Sequence, residues 1–109
     1  MCGLFGYSFY GEELKDLPRL IKILGWNTSV RGTDATGISY VMEKKLHIEK
    51  DGVRASEFKF PLPEDVNVCM GHVRKTTQGS EKKNYNNHPF RGKAKNGHFA
   101  LAHNGVITN

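Results

Sequence analysis

The sequence predicts an α+β domain that is rich in short strands and has one helix near its amino terminus. Apolar segments at residues 2–9, 38–50 and 66–74 have the length and the aromatic or β-branched content of strands. Residues 16–27 differ, because apolar side chains recur there at the spacing of a helix. The 109 residues are enough for one domain with a modest core, and no repeat or linker divides residues 1–109.

The first strand, the helix and a loop are predicted in this order from the first third of the chain. CGLFGYSF is short and apolar and predicts a buried strand. In the helix, Asp16 is a plausible N-cap, Pro18 fits only the first turn, and Gly25 weakens the end. RGTDATG, at residues 31–37, follows as a loop because it is rich in turn-forming residues.

The remaining elements are predicted as strands separated by polar connections. ISYVME and KLHIEK predict two strands joined by a tight turn at residues 43–45. Residues 66–74 alternate in part and predict an inner strand. Residues 75–97 are polar and predict a long loop, a kind of segment that often carries function. Residues 98–109 predict an apolar strand that runs into a turn.

Composition argues against several classes of protein. No apolar run approaches the roughly 18–20 residues of a membrane span, and the start lacks the basic stretch of a signal peptide. With two cysteines, the chain is expected to be cytoplasmic. The net charge of +5 is expected to reflect a solvated surface. Without aromatic interleaving or zinc-finger spacing, nucleic acid is not expected as a partner.

Cys2 is the first candidate for chemistry because it directly follows Met1. Removal of Met1 would leave a thiol and a free α-amino group on one residue. A thiol needs a base to become a good nucleophile, and an α-amino group with a pKa of about 7.7–8.0 is partly neutral at cellular pH. Cys2 could therefore supply both groups, although a cysteine at position 2 is by itself more often incidental.

Two later stretches offer the other groups that amide hydrolysis needs. AHNGVITN contains the Asn104 side-chain amide and the Gly105 backbone N–H, both candidate donors to an oxyanion, although Asn-Gly is equally a hairpin turn signal. GHVRKTT places Arg74 after an apolar strand, where a guanidinium could hold a carboxylate through two bonds beside the Thr77 hydroxyl. The alternative for Arg74 is an exposed charge at a strand end.

A metal site is the weaker alternative. Cys69 and His72 have metal-like spacing, and further histidines could complete a zinc site at His88, His98 and His103. Cys69 lies in an apolar strand, however, and buried free cysteines are common. We expect neither a metal nor a cofactor.

Five motifs occur in order along the chain: CGLFGY, RGTDATG, GHVRKTTQG, NNHPF and HNGVITN. Together, over residues 2–109, they resemble the class II glutamine amidotransferases, which are N-terminal nucleophile hydrolases. The resemblance implies a four-layer αββα sandwich of antiparallel sheets. It implies that the side-chain amide of glutamine is hydrolysed to glutamate and ammonia, and that the ammonia is transferred to an acceptor.

The resemblance also assigns roles to residues. Cys2 matches the nucleophile, and Asn104 and Gly105 match the oxyanion donors. Arg74 matches the arginine that grips the α-carboxylate of glutamine, with Thr77 beside it. The resemblance assigns the pocket wall to Arg31, Gly32, Asp34 and Gly37. It assigns a structural loop to His88 and Pro89.

Residues 1–109 are expected to be only the N-terminal part of such a glutaminase domain. Family domains are longer, and their carboxylate partner for the α-amino group of glutamine lies downstream of the HNG motif. Lys75 and Gln78 stand where many members have tryptophan and histidine. We therefore expect weak activity from this chain alone, and either self-association or a second chain or domain that completes the fold and accepts ammonia. The alternative is a catalytically inactive remnant that serves as a binding or interaction module.

Overall fold

The structure is a computed structural model that describes residues 2–9, 16–63, 66–76 and 80–104. Within these ranges, one α-helix and antiparallel sheets confirm the predicted α+β class. The helix is not long and apolar enough to cross a membrane. The elements, in chain order, are β1 (Gly3–Ser8), α1 (Leu17–Thr28), β2 (Ala35–Met42), β3 (Lys45–Asp51), β4 (Val68–Arg74), β5 (Phe90–Ala94) and β6 (Gly97–Leu101).

Four of the strands form one antiparallel sheet in the order β1-β4-β2-β3, so β4 is an inner strand, as predicted. His72 in β4 pairs with Leu4 of β1 and with Gly37 of β2. Because alternate side chains of a strand point to opposite faces, His72 and Arg74 share one face, and Cys69 lies on the other. A site that combined Cys69 with His72 is therefore ruled out by the pleat of β4.

One face of this sheet packs against α1 and residues 53–63 to form the apolar core. Ile21 of α1 and Ile38 of β2 have no exposed surface. The ring of Phe5 lies across Gly71 of β4, where a Cβ would collide with it. The other members of the core are Tyr40, Ala55, Phe58, Leu62, Val66, Cys69 and Val73.

The helix covers nearly the predicted residues, but Asp16 and Gly25 play different roles from those predicted. Asp16 does occupy the N-cap, but its φ is 65° and its side chain makes no capping hydrogen bond. Gly25 lies inside the helix, which continues to Thr28. A Cβ on Gly25 would come within 2.7 Å of the Phe60 ring, so this glycine provides close packing rather than a helix end.

The opposite face of the sheet is covered by residues 84–89 and by the hairpin of β5 and β6. Lys50 of β3 donates from Nζ to the carbonyls of Asn87 (2.6 Å) and Pro89 (3.0 Å). Gly37 has no Cβ, and one there would collide with the carbonyl of His88. The described residues thus form three layers, which are compatible with part of the predicted αββα sandwich.

Two predicted loops contain strand. β2 begins at Ala35, inside the loop predicted at residues 31–37. β5 lies inside the loop predicted at residues 75–97 and pairs with β6 across a two-residue turn. FRGKA is short and has only one large apolar residue, Phe90, so its pattern is a weak strand signal. The strand is paired with β6, and Gly97 has a φ of 141° directly after the turn.

Candidate active site

Cys2 immediately precedes β1 and is partly buried. Its thiol lies 3.7 Å from the carbonyl oxygen of Lys75, the residue that follows β4. Since β1 and β4 are paired neighbours, the sheet fixes the distance between the start of one strand and the end of the other. The thiol therefore lies where β1 begins and β4 ends, and it is only partly buried there.

Arg31 and Asn104 converge on the carbonyl oxygen of Cys2. Arg31 donates from Nε to this oxygen at 2.9 Å. In the amide orientation that satisfies both of its polar atoms, Asn104 donates from Nδ2 to the same oxygen at 3.1 Å and accepts from Arg31 Nη2 at 3.3 Å. Three predicted site residues that are distant in sequence are thus brought together.

The loop after Arg31 packs tightly against the end of β4. A Cβ on Gly32 would lie 2.5 Å from the carbonyl carbon of Arg74, so only glycine allows this approach. Asp34 donates its backbone N–H to the Arg74 carbonyl (2.9 Å), and its carboxylate accepts from the N–H of Thr76 (2.7 Å). These bonds hold the predicted pocket wall in a fixed position beside Lys75.

A cavity of about 390 Å³ opens between these two segments and is lined by residues 30–34 and Lys75. This volume suits a small ligand. Its charged side chains are those of Arg31, Asp34 and Lys75, so the cavity offers both signs of charge to a zwitterion. Cys2 is adjacent, because its thiol bonds to the Lys75 carbonyl.

Arg74 is 5% exposed and lies on the polar face of the sheet. It donates from Nη1 to Oδ1 of Asn87 at 2.9 Å. Asn87 has no exposed surface, and its Nδ2 donates to the Glu81 carbonyl at 2.8 Å and to Asn84 Oδ1 at 3.0 Å. Arg74 is therefore a buried, anchored cation and not an exposed charge at a strand end.

His72 and His88 stack with ring centroids 4.1 Å apart and planes 13° from parallel. Burial is the main cause that lowers the pKa of each imidazole to about 4. His72 is 1% exposed, and its Nδ1 has no hydrogen-bond partner among the residues that the structure describes. Both rings are consequently neutral at pH 7.

The other predicted site residues lie away from Cys2 or outside the described residues. Thr77 and Gly105 lie outside the described residues, so their predicted roles stay predictions. Cys69 is on the core side, where burial raises the pKa of its thiol to about 12. Among the described residues, no three histidine, cysteine, aspartate or glutamate side chains are grouped so that they could hold a metal ion.

Asn87 is the site residue that the sequence analysis did not single out. It lies within the NNHPF motif, but only His88 and Pro89 of that motif were given a role. An asparagine can accept a hydrogen bond from a buried arginine, and this could have indicated Asn87. The inference would have required knowing that the NNHPF segment contacts the end of β4. That contact joins residues 13 positions apart through the sheet face, which sequence spacing does not reveal.

Comparison with known proteins confirms the resemblance to class II glutamine amidotransferases that the five motifs predicted. The relatives are isomerizing glutamine–fructose-6-phosphate aminotransferases. The chain is 34% identical over 111 residues to that of Geobacillus kaustophilus, 36% over 112 residues to that of Staphylococcus aureus, and 33% over 111 residues to that of Chlamydia trachomatis.

Each of these matches covers the whole of this chain but only 17% or 18% of the relative. The chain thus spans about a sixth of the length of the curated relatives it matches. No model of a known protein family matches the chain, and no solved structure matches it.

Proposed function

We propose that this chain forms glutamine-hydrolysing machinery in which Cys2 is the nucleophile. The observation that carries the proposal is the convergence of Arg31 and Asn104 on Cys2 beside a cavity of about 390 Å³. The names of the relatives support glutamine as the nitrogen donor. Hydrolysis of an amide needs a nucleophile and a hydrogen-bond donor to the developing oxyanion. The Cys2 thiol and the neighbouring Asn104 amide are groups of these two kinds.

The reaction begins with the removal of Met1, which frees the α-amino group of Cys2. This amine takes the thiol proton, and Sγ attacks the side-chain amide carbon of glutamine while the carbonyl electron pair moves to oxygen. The ammonium then returns its proton to the amide nitrogen, the C–N bond breaks, and ammonia leaves. A γ-glutamyl thioester remains on Cys2.

Hydrolysis of this thioester uses the same groups in reverse. Water attacks the thioester carbon and gives one proton to the α-amino group of Cys2. The C–S bond breaks, glutamate leaves, and the proton passes to Sγ. Cys2 and its neutral amine are restored for the next turnover.

Asn104 is suited to stabilise the negative oxygen in both steps. A side-chain amide has two N–H donors, and the bond to the Cys2 carbonyl uses one of them. Arg31 donates to Oδ1 of Asn104, which fixes the orientation of the amide. The second N–H of Asn104 is the proposed oxyanion donor, with the Gly105 backbone N–H as the predicted second one.

Arg74 and Thr77 remain the proposed contacts for the α-carboxylate of glutamine. The bond from Nη1 of Arg74 to Asn87 fixes the plane of the guanidinium, and a fixed plane favours bidentate carboxylate binding. The ammonia acceptor is proposed to lie outside residues 1–109, on a second chain or domain. The relatives' name points to fructose 6-phosphate as the acceptor in those enzymes.

The test is covalent labelling of Cys2 by a glutamine-mimicking electrophile, followed by peptide mass spectrometry. We expect the chain without Met1 to be labelled at Cys2, and excess glutamine to protect it. Cys69 provides the internal control, because its buried thiol with a raised pKa should not react. Labelling that glutamine does not slow, or equal labelling of Cys69, would contradict the proposal.

The form of the chain that retains Met1 is the matched control for the base. Its thiol is unchanged, but its Cys2 nitrogen is a peptide nitrogen that cannot accept a proton. We expect it to be labelled much more slowly than the processed form. Equal rates for the two forms would exclude the α-amino group as the base.

A further inference from the structure

We infer that His72 and His88 act together as a clamp on the backbone of His103 and thereby position Asn104 for the proposed hydrolysis. The inference rests on the proposed function, but the clamp itself can be tested without activity. His72 and His88 touch neither Cys2 nor the cavity lining in any hydrogen bond of the described chain. They are positioning residues, since they act on Asn104 through its neighbour.

The clamp holds both backbone groups of a single residue. Nε2 of His72 lies 3.2 Å from the carbonyl oxygen of His103. The backbone N–H of His103 donates to Nδ1 of His88 at 3.1 Å. β6 ends at Leu101, so strand pairing does not extend to His103, and the two imidazoles take the place of a partner strand.

The contacts determine the tautomer of each ring. An oxygen can only accept, so His72 must carry its proton on Nε2. His88 must leave Nδ1 unprotonated, because Nδ1 accepts the His103 N–H. The clamp thus requires a neutral His88 with its proton on Nε2, and a proton on Nε2 of His72. His72 is also neutral, because its burial lowers its pKa to about 4.

The surroundings of the two rings hold them in place. His72 is fixed within the inner strand β4. His88 is fixed by its neighbours, since Lys50 binds the carbonyls on either side of it, at Asn87 and Pro89. Phe90 also packs against the His88 ring, with centroids 4.3 Å apart. A small displacement of Asn104 is therefore opposed by a rigid sheet and an anchored loop.

The charged groups around the pair also favour the neutral state. The titratable groups that face His88 are His72, Arg74, His103 and Lys50, and each of them is a cation or can become one. A proton on His88 Nδ1 would remove the acceptor of the His103 N–H and would face these groups. We therefore expect acid to release the clamp only well below pH 6.5, the usual pKa of a histidine.

The experiment compares matched variants of the full chain by NMR. His88→Asn keeps an acceptor near the position of Nδ1, whereas His88→Leu removes it. His72→Gln keeps a donor near the position of Nε2, whereas His72→Leu removes it. His98→Leu is the control, because His98 is an exposed histidine in β6, the strand that precedes His103. The measured quantity is hydrogen exchange at the His103 amide.

We expect the His103 amide to exchange about tenfold faster or more in His88→Leu, and within about threefold of the unmodified chain in His88→Asn and His98→Leu. The imidazole ¹⁵N spectrum of the unmodified chain gives a second measurement that needs no variant to fold. It should show Nε2–H tautomers for both rings. A proton on Nδ1 of His88, or unchanged exchange in His88→Leu, would overturn the clamp.

A functional measurement separates positioning from folding. In the processed chain, His88→Leu should lower the rate of Cys2 modification by the bound electrophile about tenfold or more, while the affinity for the electrophile stays near its original value. His88→Asn should restore the rate. Equal rates in His88→Leu and the unmodified chain would overturn the positioning role. Absence of labelling in every form would contradict the proposed function, and the amide exchange would still decide whether the clamp exists.

Discussion

The two faces of the four-stranded sheet are buried by different kinds of interaction. The face against α1 is apolar, with Ile21 and Ile38 completely buried and no charged side chain in its cluster. The opposite face buries Arg74, His72 and Asn87, and its contacts are directional hydrogen bonds. The same strand, β4, contributes to both faces through alternate residues.

This difference separates two tasks within one sheet. Apolar packing depends on volume and shape, so a change of side chain with similar volume is tolerated there. A buried polar group depends on each partner atom, since an unmade hydrogen bond leaves a desolvated group behind. The candidate active site lies at the end of β4, where the anchored Arg74 leads into Lys75, whose carbonyl contacts the Cys2 thiol. On the polar face, stability and function are therefore expected to depend on the chemical identity of each side chain rather than on its volume.

The largest expected effect is on the apolar face. Ile38→Ala removes buried methyl groups from the centre of the core and should reduce the free energy of unfolding by about 2–5 kcal/mol. Ile38→Leu keeps the volume and should cost less than about 1.5 kcal/mol. Urea unfolding of the two variants measures the difference. Equal losses in both would show that this face also depends on atomic identity.

A smaller loss of stability but a larger loss of function is expected at Asn87. Asn87→Leu has a similar volume but removes the acceptor of Arg74 and the donors to the Glu81 carbonyl and Asn84. We expect a loss of about 1–3 kcal/mol, because these buried partners become unsatisfied.

The same Asn87 variant should also lose protection of Cys2 by glutamine, since Arg74 is no longer oriented. Labelling assays on folded protein measure this, with Ile38→Leu as the control that should keep protection. A variant that loses less than about 0.5 kcal/mol would remove the distinction between the faces.

The smallest expected effect is the change in the free energy of unfolding for each pH unit. The folded imidazoles of His72 and His88 have pKa values of about 4, and those of the unfolded chain lie near 6.5. Between these values the unfolded chain binds more protons, so stability is complete above pH 6.5 and falls as the pH is lowered towards 4.

The buried His72 contributes up to about 1.4 kcal/mol per pH unit in this window, and the partly exposed His88 contributes less. Unfolding at several pH values measures the slope. The double variant His72→Gln, His88→Asn should flatten the curve between pH 4 and 6.5. An unchanged slope in this variant would show that other groups cause it.

Sequence reasoning succeeded where the signals are local. β1, the pair β2 and β3, and the inner strand β4 follow from apolar content and turn residues within each segment. β5 was missed because it is a short segment within a polar stretch and is held by pairing with β6. The extent of the helix was predicted to within one residue at its end, but the contact of Gly25 with Phe60 could not be read from the sequence. In the site, motifs brought Cys2 and Asn104 into consideration. The pairings of Arg74 with Asn87 and of His72 with His88 depend on segments that meet only in the fold.

The central claim is that Cys2 carries a glutamyl group during the reaction. The most direct measurement is intact mass spectrometry of the processed chain, quenched in acid after incubation with isotopically labelled glutamine. The account predicts one labelled glutamyl group per chain, located on Cys2, absent from Cys2→Ala and from the form that keeps Met1. Asn104→Ala should slow its formation by about 10²–10³-fold. Release of glutamate from the processed chain without any adduct on Cys2, or an adduct that survives in Cys2→Ala, would contradict the account.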